Sequence, residues 1–581
     1  MSDVSVQTER VDDIPLLFQQ QVEMGVADII DSVVLRHGNR QGLSLGWVTV
    51  GWLSYILSKS DHRLSVVEDW AVGRLTTLNQ LFPTAVRSKD FTDDRLGEVL
   101  ECLSQDEVWS ELEQRLNNRC IQVYDLEQET VRVDTTTVSM YHDSQGSDLV
   151  AYGHSKDHRP DLAQIKVLMA TLDPLALPLV TQVLGGNTAD DGLYQPAIAA
   201  SQATLNKRGM LYVGDSKMES LETRAYCAST NDYYLHPLSM KGKQDELLHE
   251  LVNRVLDDET VELTDVHALT VKPDGSSKLL AQAWETTRTL EATVADEQVK
   301  WDERLLAVYS PALAQAGYRG LERRLQAATE ALLALTPPRG RGRRQWQELA
   351  PLQTAAEAIL QQYRLTGCLA VSYERQETTR HIRRYKERSA RTETTVRYQL
   401  SLSRKEAAIA AARRFIGWRL FVTNAPKQLL SLERAVRVYR GATPTIEHLF
   451  SRLKGQPLGL RPIFVRRDEA IIGLTRLMAL ALRILTLIEF VVQRSLQQAQ
   501  ETLAGLVPGN PKIATTTPTT ERLLHAFNEI TLSVIHLGEQ TIRHITPLTS
   551  LQYRILLLLK FSDSLYTCLL YTSDAADESV G

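Results

Sequence analysis

Apolar residues recur every three or four positions through the first part of the chain. The spacing is clearest in residues 14–34, 47–57 and 96–116, where it predicts amphipathic helices. Residues 1–125 are therefore predicted to form a mainly helical region, which is a candidate DNA-binding domain. Residues 1–130 hold 11 basic and 22 acidic residues, however, so sequence recognition there would need a small local basic face.

Short runs of apolar and β-branched residues then predict strands. They are residues 131–138, 165–172, 177–184, 209–214, 261–271, 305–309 and 418–424. Residues 321–335 and 346–363 have helical periodicity, and helices dominate residues 427–494. A Gly-, Pro- and Thr-rich linker follows at residues 505–520, and further helices are predicted from residue 521 onward. The mixture predicts an α/β fold.

One long apolar stretch, residues 474–492, has nearly the length of a membrane span. It carries Arg476, Arg483 and Glu489, which a lipid-facing helix would rarely hold, so a buried helix is predicted. Hydrophobic residues make up 43% of the chain and charged residues 23%, which fits a globular protein. The cysteines form no CxxC pair, and the N-terminus is too acidic for a signal peptide. We therefore expect a cytoplasmic protein with no membrane partner.

The formal net charge is −6, but basic residues are concentrated in two blocks. Residues 371–416 hold 12 basic and 5 acidic residues, and residues 433–483 hold 10 basic and 4 acidic residues. Phosphate binding depends on the local potential, so the two blocks favour nucleic-acid binding, whereas the overall acidic balance argues against it. A solvated helix face is the alternative interpretation of each block.

Three carboxylates occupy positions suited to chemistry. Asp134 lies within a predicted strand, and Asp215 lies at the end of another. Glu447 lies on a predicted helix, residues 443–455, in which apolar residues give one packed flank and Lys454 lies on the same side as Glu447. Carboxylates on two strands and a helix form an all-oxygen site, which Mg²⁺ or Mn²⁺ prefers. Two such ions are suited to phosphodiester chemistry.

Other residues compete for these roles. The rival carboxylates are Asp190, Asp191, Glu469 and Glu489. The first two lie in a turn, and the last two lack a basic partner seven residues further on. Three histidines near the first strand raise the alternative of a zinc site, namely His142, His154 and His158. The absence of a cysteine or of a fixed helical spacing favours surface or DNA-facing roles for them.

Seven motifs follow one another along the chain. They are VRVDTTTVSMYH (131–142), YGHSKDHRPDL (152–162), GGNTADD (185–191), LYVGDSKMES (211–220), GWRLFVTN (417–424), YRGATPTIEHLFSRLKG (439–455) and PGNPKIATTTPTTERLL (508–524). Their order and spacing resemble the insertion-sequence DDE transposases that have a Tyr/Arg/Glu/Lys signature and an insertion before the catalytic Glu. The resemblance covers residues 20–545.

The resemblance implies a fold, an activity and a cofactor. The fold would be a ribonuclease-H-like mixed sheet with flanking helices, an N-terminal helical region and a large mixed insertion domain. The protein would cleave the ends of an insertion sequence and join the 3′-hydroxyls to target DNA. Asp134, Asp215 and Glu447 would be the catalytic residues and would hold two Mg²⁺ ions, with Mn²⁺ as a substitute. The partners would be double-stranded DNA, comprising the terminal inverted repeats and the target, and a second copy of the chain in the DNA complex.

The resemblance also indicates residues that contact DNA. These candidates are Lys454, Arg440, Tyr439, Lys156 and Arg159. Lys454 matches the signature lysine. Tyr439 lies eight residues before Glu447 instead of the usual seven, and Thr443 stands in the usual Arg place, so Arg440 is the expected substitute. A solvated loop is the alternative interpretation for Lys156 and Arg159.

The patterns and the resemblance together predict six segments. They are an N-terminal region (1–125), the first part of the catalytic domain (126–241), an insertion domain (242–400), the second part of the catalytic domain (401–495), a C-terminal linker with helices (496–567), and residues 568–581. The last segment contains CLLYTSDAADE, which looks like a translated sequencing adapter. Two alternative functions remain: a nuclease of the same fold without strand transfer, and a DNA-binding relic without activity.

Overall fold

The computed structural model describes residues 4–34, 41–271, 275–338, 340, 345–384, 389–441, 443–538 and 540–570. The α-helices are α1 (Ile14–Met24), α2 (Val26–Val33), α3 (Leu45–Lys59), α4 (Val67–Val72), α5 (Leu75–Leu81), α6 (Asp93–Ser104), α7 (Asp106–Tyr124), α8 (Tyr194–Leu205), α9 (Leu221–Ser229), α10 (Lys243–Asp257), α11 (Pro311–Leu335), α12 (Leu349–Gln362), α13 (Glu406–Arg414), α14 (Leu432–Gly441), α15 (Thr443–Lys454), α16 (Asp468–Ala499), α17 (Thr520–His525), α18 (Ser550–Leu559) and α19 (Ser564–Thr567). The strands are β1 (Val4–Arg10), β2 (Thr130–Met140), β3 (Ala163–Leu172), β4 (Leu177–Gly185), β5 (Leu211–Val213), β6 (Tyr233–Pro237), β7 (Thr264–Val271), β8 (Ser277–Val294), β9 (Glu297–Tyr309), β10 (Leu369–Ile382), β11 (Arg391–Arg404), β12 (Trp418–Thr423), β13 (Leu503–Ala504), β14 (Ala514–Thr515), β15 (Thr531–Leu537) and β16 (Gln540–Ile545).

A nine-stranded mixed sheet forms the centre of the protein, in the order β4-β3-β2-β5-β6-β12-β9-β8-β7. β2, β3 and β4 are antiparallel neighbours, whereas β5 and β6 run parallel to β2. Three antiparallel strands followed by two parallel ones give the ribonuclease-H-like order. The predicted fold class, a mixed α/β sheet with flanking helices, is therefore confirmed.

Helices cover the first strands of this sheet. α8, α15 and α16 all pack against strands of the β2–β4 group. All ten residues of β3 are buried, because a strand in the middle of a covered sheet has no solvent-facing side. β2 is buried along its length except at Asp134, which is half-buried. The one partly open position in this strand is therefore a carboxylate.

The long helix α16 is the apolar stretch predicted to be buried, and this prediction is confirmed. The helix is long and apolar enough to cross a membrane, but 94% of its most apolar part is buried inside the protein. Its charges are satisfied internally: Arg483 Nη2 donates to Glu113 Oε1 at 2.6 Å, and Arg476 donates to Leu103 O at 3.0 Å and pairs with Asp106. These two cations of the basic block 433–483 are therefore engaged inside the fold.

A separate three-stranded antiparallel sheet joins the two ends of the described chain, in the order β1-β15-β16. The prediction of helices alone from residue 521 onward was thus wrong for residues 531–545, which form a β-hairpin. β1 pairs with β15 over seven residues, from Val4 opposite Leu537 to Arg10 opposite Thr531. Neither element has a strong local pattern, because its partner lies far away in sequence.

Residues 242–400 do not form a single separate layer. β7, β8 and β9 extend the central sheet next to β12, so this part of the predicted insertion continues the catalytic sheet. α11, α12 and the β10–β11 hairpin instead share a small core of their own, which includes Leu325, Ala356, Leu369 and Leu400. The predicted boundary at residue 242 thus does not coincide with an edge of the sheet.

Candidate functional site

Asp134 and Asp215 lie side by side on neighbouring parallel strands. β2 pairs with β5 at a constant offset of 81 residues, from Thr130 opposite Leu211 to Arg132 opposite Val213. The same offset continued two residues further places Asp134 opposite Asp215. Adjacent strands lie about 4.8 Å apart, so the two carboxylates belong to one site.

The electrostatics of Asp134 reflect this arrangement. Burial raises the pKa of the Asp134 carboxyl, and the negative charge of Asp215 raises it further, while Lys156 acts in the opposite direction. Lys156 Nζ lies 3.5 Å from Asp134 Oδ1 and donates to the backbone oxygen of Thr135 at 2.6 Å. A cation therefore already sits against the first carboxylate.

Asp215 is held in a fixed orientation by two donors. The hydroxyl of Tyr194 donates to Asp215 Oδ1 at 2.5 Å, and the backbone N–H of Lys217 donates to the same oxygen at 2.8 Å. Gly214 makes room for this contact, because a Cβ there would lie 2.8 Å from the Tyr194 ring. Burial and then the two aspartates raise the pKa of Tyr194 well above its usual range, so the phenol remains a donor.

Lys454 reaches the same strand from the end of α15. Its ammonium donates to Thr136 Oγ1 at 3.0 Å and to Asp157 Oδ1 at 2.7 Å. Thr136 lies two residues after Asp134 and shares its face of β2, since alternate residues of a strand point the same way. Arg461 pairs with the other oxygen of Asp157 at 3.0 Å. The sequence analysis missed Asp157, although it lies next to Lys156 in one of the motifs.

Glu447 lies on α15, seven residues before Lys454. The predicted apolar flank of this helix is confirmed, since Ile446, Leu449 and Leu453 are buried. Glu447 itself is exposed. Within the part of the chain that the structure describes, no three His, Cys, Asp or Glu side chains form a group that could hold a metal ion. The structure thus brings Asp134 and Asp215 together without a third ligand.

Tyr439 and Arg440 point to different places. Burial, followed by the charges of Asp215 and Asp134, raises the pKa of Tyr439 to about 12, so its phenol lies within electrostatic range of the aspartates. Its ring packs edge-on against Phe421. Arg440 Nη1 instead donates to Ser310 Oγ at 2.6 Å, and burial lowers the pKa of this guanidinium. Only the tyrosine of this pair is near the carboxylates.

Arg159, the remaining predicted DNA contact, lies on the surface. Its guanidinium donates to both carboxylate oxygens of Asp161, at 2.8 and 2.7 Å, and lies over the ring of Tyr141. This ion pair is exposed on both sides. An exposed pair of this kind is weak, so Arg159 remains available to another anion.

The rival carboxylates have other partners. Asp190 accepts from Lys166 Nζ at 2.5 Å; burial raises the pKa of this carboxyl, but Lys166 outweighs burial and lowers it overall. Asp191 is exposed and pairs with Lys217, and Glu489 pairs with Arg452. The three histidines near β2 form no metal-binding group among the residues that can be described.

An open groove lies beside Asp215, with a volume of about 710 Å³. Its cationic and aromatic lining comprises Lys217, Lys241, Arg419 and Tyr439. Two carboxylates at the end of a sheet, next to a groove with three cations, can accommodate a metal-bound phosphate and the chain attached to it.

Residues 6–115, the N-terminal helical region, match the model of a domain of unknown function, DUF4277. This domain is found in transposases, so the match suggests a transposase-like function. No curated protein matches the sequence. Among solved structures, the chain is similar to a piggyBac transposase synaptic complex with hairpin DNA, at 8% identity and a TM-score of 0.32, over 90% of this chain and 82% of that chain.

Proposed function

We propose that this protein is a DDE-type DNA transposase, which cuts DNA at the ends of an insertion sequence and joins the freed 3′-hydroxyls to target DNA. The observation that carries the proposal is the placement of Asp134 opposite Asp215 at the open end of two parallel strands. The match of the N-terminal region to a domain found in transposases supports it. We place the activity in the cytoplasm.

The residues at this site suit divalent cations. Two carboxylates share one site, the pKa of Asp134 is raised in part by Asp215, and the ammonium of Lys156 partly compensates for this repulsion. Hard, oxygen-preferring cations fit such a donor set. Asp134, Asp215 and Glu447 would hold two Mg²⁺ ions, with Mn²⁺ as a substitute. When bound, the ions would activate the attacking hydroxyl and stabilise the leaving oxygen.

Glu447 would complete this set by moving. It is exposed, so no internal partner has to be broken, and it lies about 10 Å before Lys454 along the same side of α15. Lys454 anchors that helix to β2 through Thr136 and Asp157. We propose that DNA or metal binding turns the side chain of Glu447 toward Asp134.

The cationic side chains would hold the DNA. Lys156 and Lys454 flank the carboxylates and would each neutralise a phosphate oxygen near the scissile bond. Tyr439 would contact the same strand from the groove, and Arg159 would contact it from the loop after β2. Arg440 would reach DNA only after it releases Ser310.

The reaction consists of two displacements at phosphorus. A water oxygen attacks the phosphate at the element end, the P–O3′ bond breaks, and the 3′ oxygen takes up a proton. That 3′-hydroxyl then attacks a target phosphate, loses its proton and displaces the target 3′ oxygen. We propose that two copies of the chain act on the two element ends.

The test uses duplexes that carry the DNA flanking the reading frame, and it scores binding, nicking and joined products separately. Asp134→Asn and Asp215→Asn should retain binding and lose nicking by more than the roughly 10–100-fold typical of outer-shell changes. Asp191→Asn is the matched control, because this aspartate is exposed and pairs with Lys217 on the surface. Equal nicking by all three variants would refute the site.

Two other functions make different predictions. Nicking without joined products would indicate a nuclease of the same fold. Binding without nicking by the wild type would indicate a relic, an outcome that the lack of a third carboxylate beside Asp134 and Asp215 among the described residues would favour.

A further inference from the structure

The β10–β11 hairpin projects from the protein as a long two-stranded ribbon. Its strands pair over 14 positions, from Leu369 opposite Arg404 to Ile382 opposite Arg391. Only the end near Leu369 and Leu400 is packed, against α11 and α12. The outer part, residues 374–384 and 389–397, is exposed or half-buried on both faces, and we call it the distal ribbon.

The distal ribbon has the composition of a nucleic-acid surface. It contains six arginines and three glutamates, together with five threonines. Arg375 pairs with Glu377, and Arg391 pairs with Glu393. Within the described part of the chain, Arg380, Arg383 and Arg384 form no ion pair. An isolated two-stranded ribbon is at best marginally stable in water, so a ribbon this long and exposed suggests a partner.

The two faces of the distal ribbon differ. One face carries the opposed pairs Gln376–Arg397, Thr378–Thr395, Arg380–Glu393 and Ile382–Arg391, which we call the Arg380 face. Ile382 is its one apolar member. The other face continues into the packed core through Tyr373 and Val371. The Arg380 face therefore offers guanidinium, hydroxyl and amide groups over roughly 25–30 Å of strand.

We propose that the distal ribbon lies in the major groove of the bound DNA with its Arg380 face toward the base edges. The major groove is about 12 Å wide and admits a two-stranded ribbon, and an arginine can donate two hydrogen bonds to guanine O6 and N7. Arg383 and Arg384, at the outer end, contact the phosphates beside the groove. This inference rests on the proposed function, because it takes DNA as the substrate.

A second copy of the chain is the competing occupant. Interfaces between proteins are depleted of charge in their centre and enriched in aromatic and apolar residues. The Arg380 face has the opposite composition, and two such basic ribbons would repel each other. DNA is therefore the better match in charge.

The test is methylation protection at guanine N7, which lies in the major groove, on duplexes carrying the flanking DNA. The wild type should protect a run of guanines, and Arg380→Gln should lose protection at one or two of them and weaken binding roughly 5- to 150-fold. Arg375→Gln is the matched control, because that arginine lies on the other face and already pairs with Glu377. Its protection pattern should equal that of the wild type.

Each other outcome has a meaning. An unchanged pattern in Arg380→Gln, or nicking by a wild type that protects no guanine, refutes the ribbon inference and leaves the proposed function intact. Retained protection without any nicking contradicts the proposed function alone. Loss of self-association in a sedimentation experiment with unchanged DNA binding assigns the ribbon to a second copy and also refutes the inference.

Discussion

Lys156 Nζ lies 3.5 Å from Asp134 Oδ1, so the carboxylate assigned to metal binding is already paired with a cation from a loop. The same ammonium donates to Thr135 O and Thr135 Oγ1. Lys156 is therefore more than a surface contact for DNA. It stabilises the charged form of Asp134 in the absence of an ion, and it would have to share this carboxylate with one.

Replacing Lys156 by Met should shift the pH dependence of nicking. Lys156 lowers the pKa of Asp134, which burial and Asp215 raise, so its loss should raise that pKa further. Asp134 must be ionised to hold a cation, and the acid limb of the pH–rate profile should therefore move to higher pH. Lys207→Met, at an exposed lysine that donates to Gln128 O, should leave the limb in place. A lower rate at every pH with an unmoved limb would show a phosphate contact alone.

Replacing Glu447 by Gln should separate binding from chemistry. The change keeps the shape and removes one anionic oxygen, which Mg²⁺ tolerates poorly. Binding of the flanking DNA should persist, and nicking should fall by more than about 100-fold, with partial recovery in Mn²⁺. A gel assay scores both. Glu469→Gln is the control, and if this variant loses nicking while Glu447→Gln retains it, the third ligand must be reassigned.

Asp157 should be important for stability. It is largely buried and accepts from Lys454 and Arg461. Asp157→Asn would leave these cations without an anion, which should cost about 1–3 kcal/mol in the free energy of unfolding. Asp161→Asn removes an exposed partner of Arg159 and should cost no more than about 1 kcal/mol. Denaturant unfolding of the two variants measures the difference, and equal costs would contradict the prediction.

The pair between Arg483 and Glu113 should show strong coupling. Both side chains are buried, and burial raises the pKa of Glu113 against the effect of Arg483. Arg483→Met alone should destabilise the protein by roughly 3–5 kcal/mol, because it leaves a buried carboxylate unpaired. Adding Glu113→Leu should recover much of this loss. A double-mutant cycle by thermal or chemical unfolding measures the coupling, and additive effects would exclude it.

Arg383 and Arg384 should contribute to DNA binding through phosphate contacts. Replacing both by Ala should weaken binding at all sequences and reduce the slope of log K against log salt by roughly 0.9 for each phosphate that is no longer neutralised. Filter binding at several salt concentrations gives the slope. Arg319→Ala and Arg323→Ala, on α11, serve as arginine controls. An unchanged slope would show that the outer end of the ribbon is only solvated.

The parts of the site that depend on local patterns could be predicted from the sequence. The strand around Asp134, the strand that ends before Asp215 and the apolar flank of the helix with Lys454 all have clear periodicity, and the structure has each of them. The assignment of Glu447 to the metal site, in contrast, stays a prediction. Its position relative to the aspartates depends on side-chain placement, which periodicity does not determine.

The parts that depend on distant partners could not be predicted. Asp157 meets Lys454 across 297 residues and Arg461 across 304 residues, and no local pattern indicates either contact. The β1 strand is equally silent, because half of its hydrogen bonding is supplied by β15. The exposed ribbon was visible only as a basic block, since charge counts do not distinguish a helix face from a hairpin.

The pairing of β1 with β15 has a consequence for how the protein is made. Val6 leaves the ribosome early, but its partner Ile535 is synthesised 529 residues later. At roughly 5–20 residues per second, the strand waits about 30–100 s with its edge unpaired. During that interval the N-terminal segment is open to chaperones and proteases, and the second sheet can close only when synthesis is nearly complete.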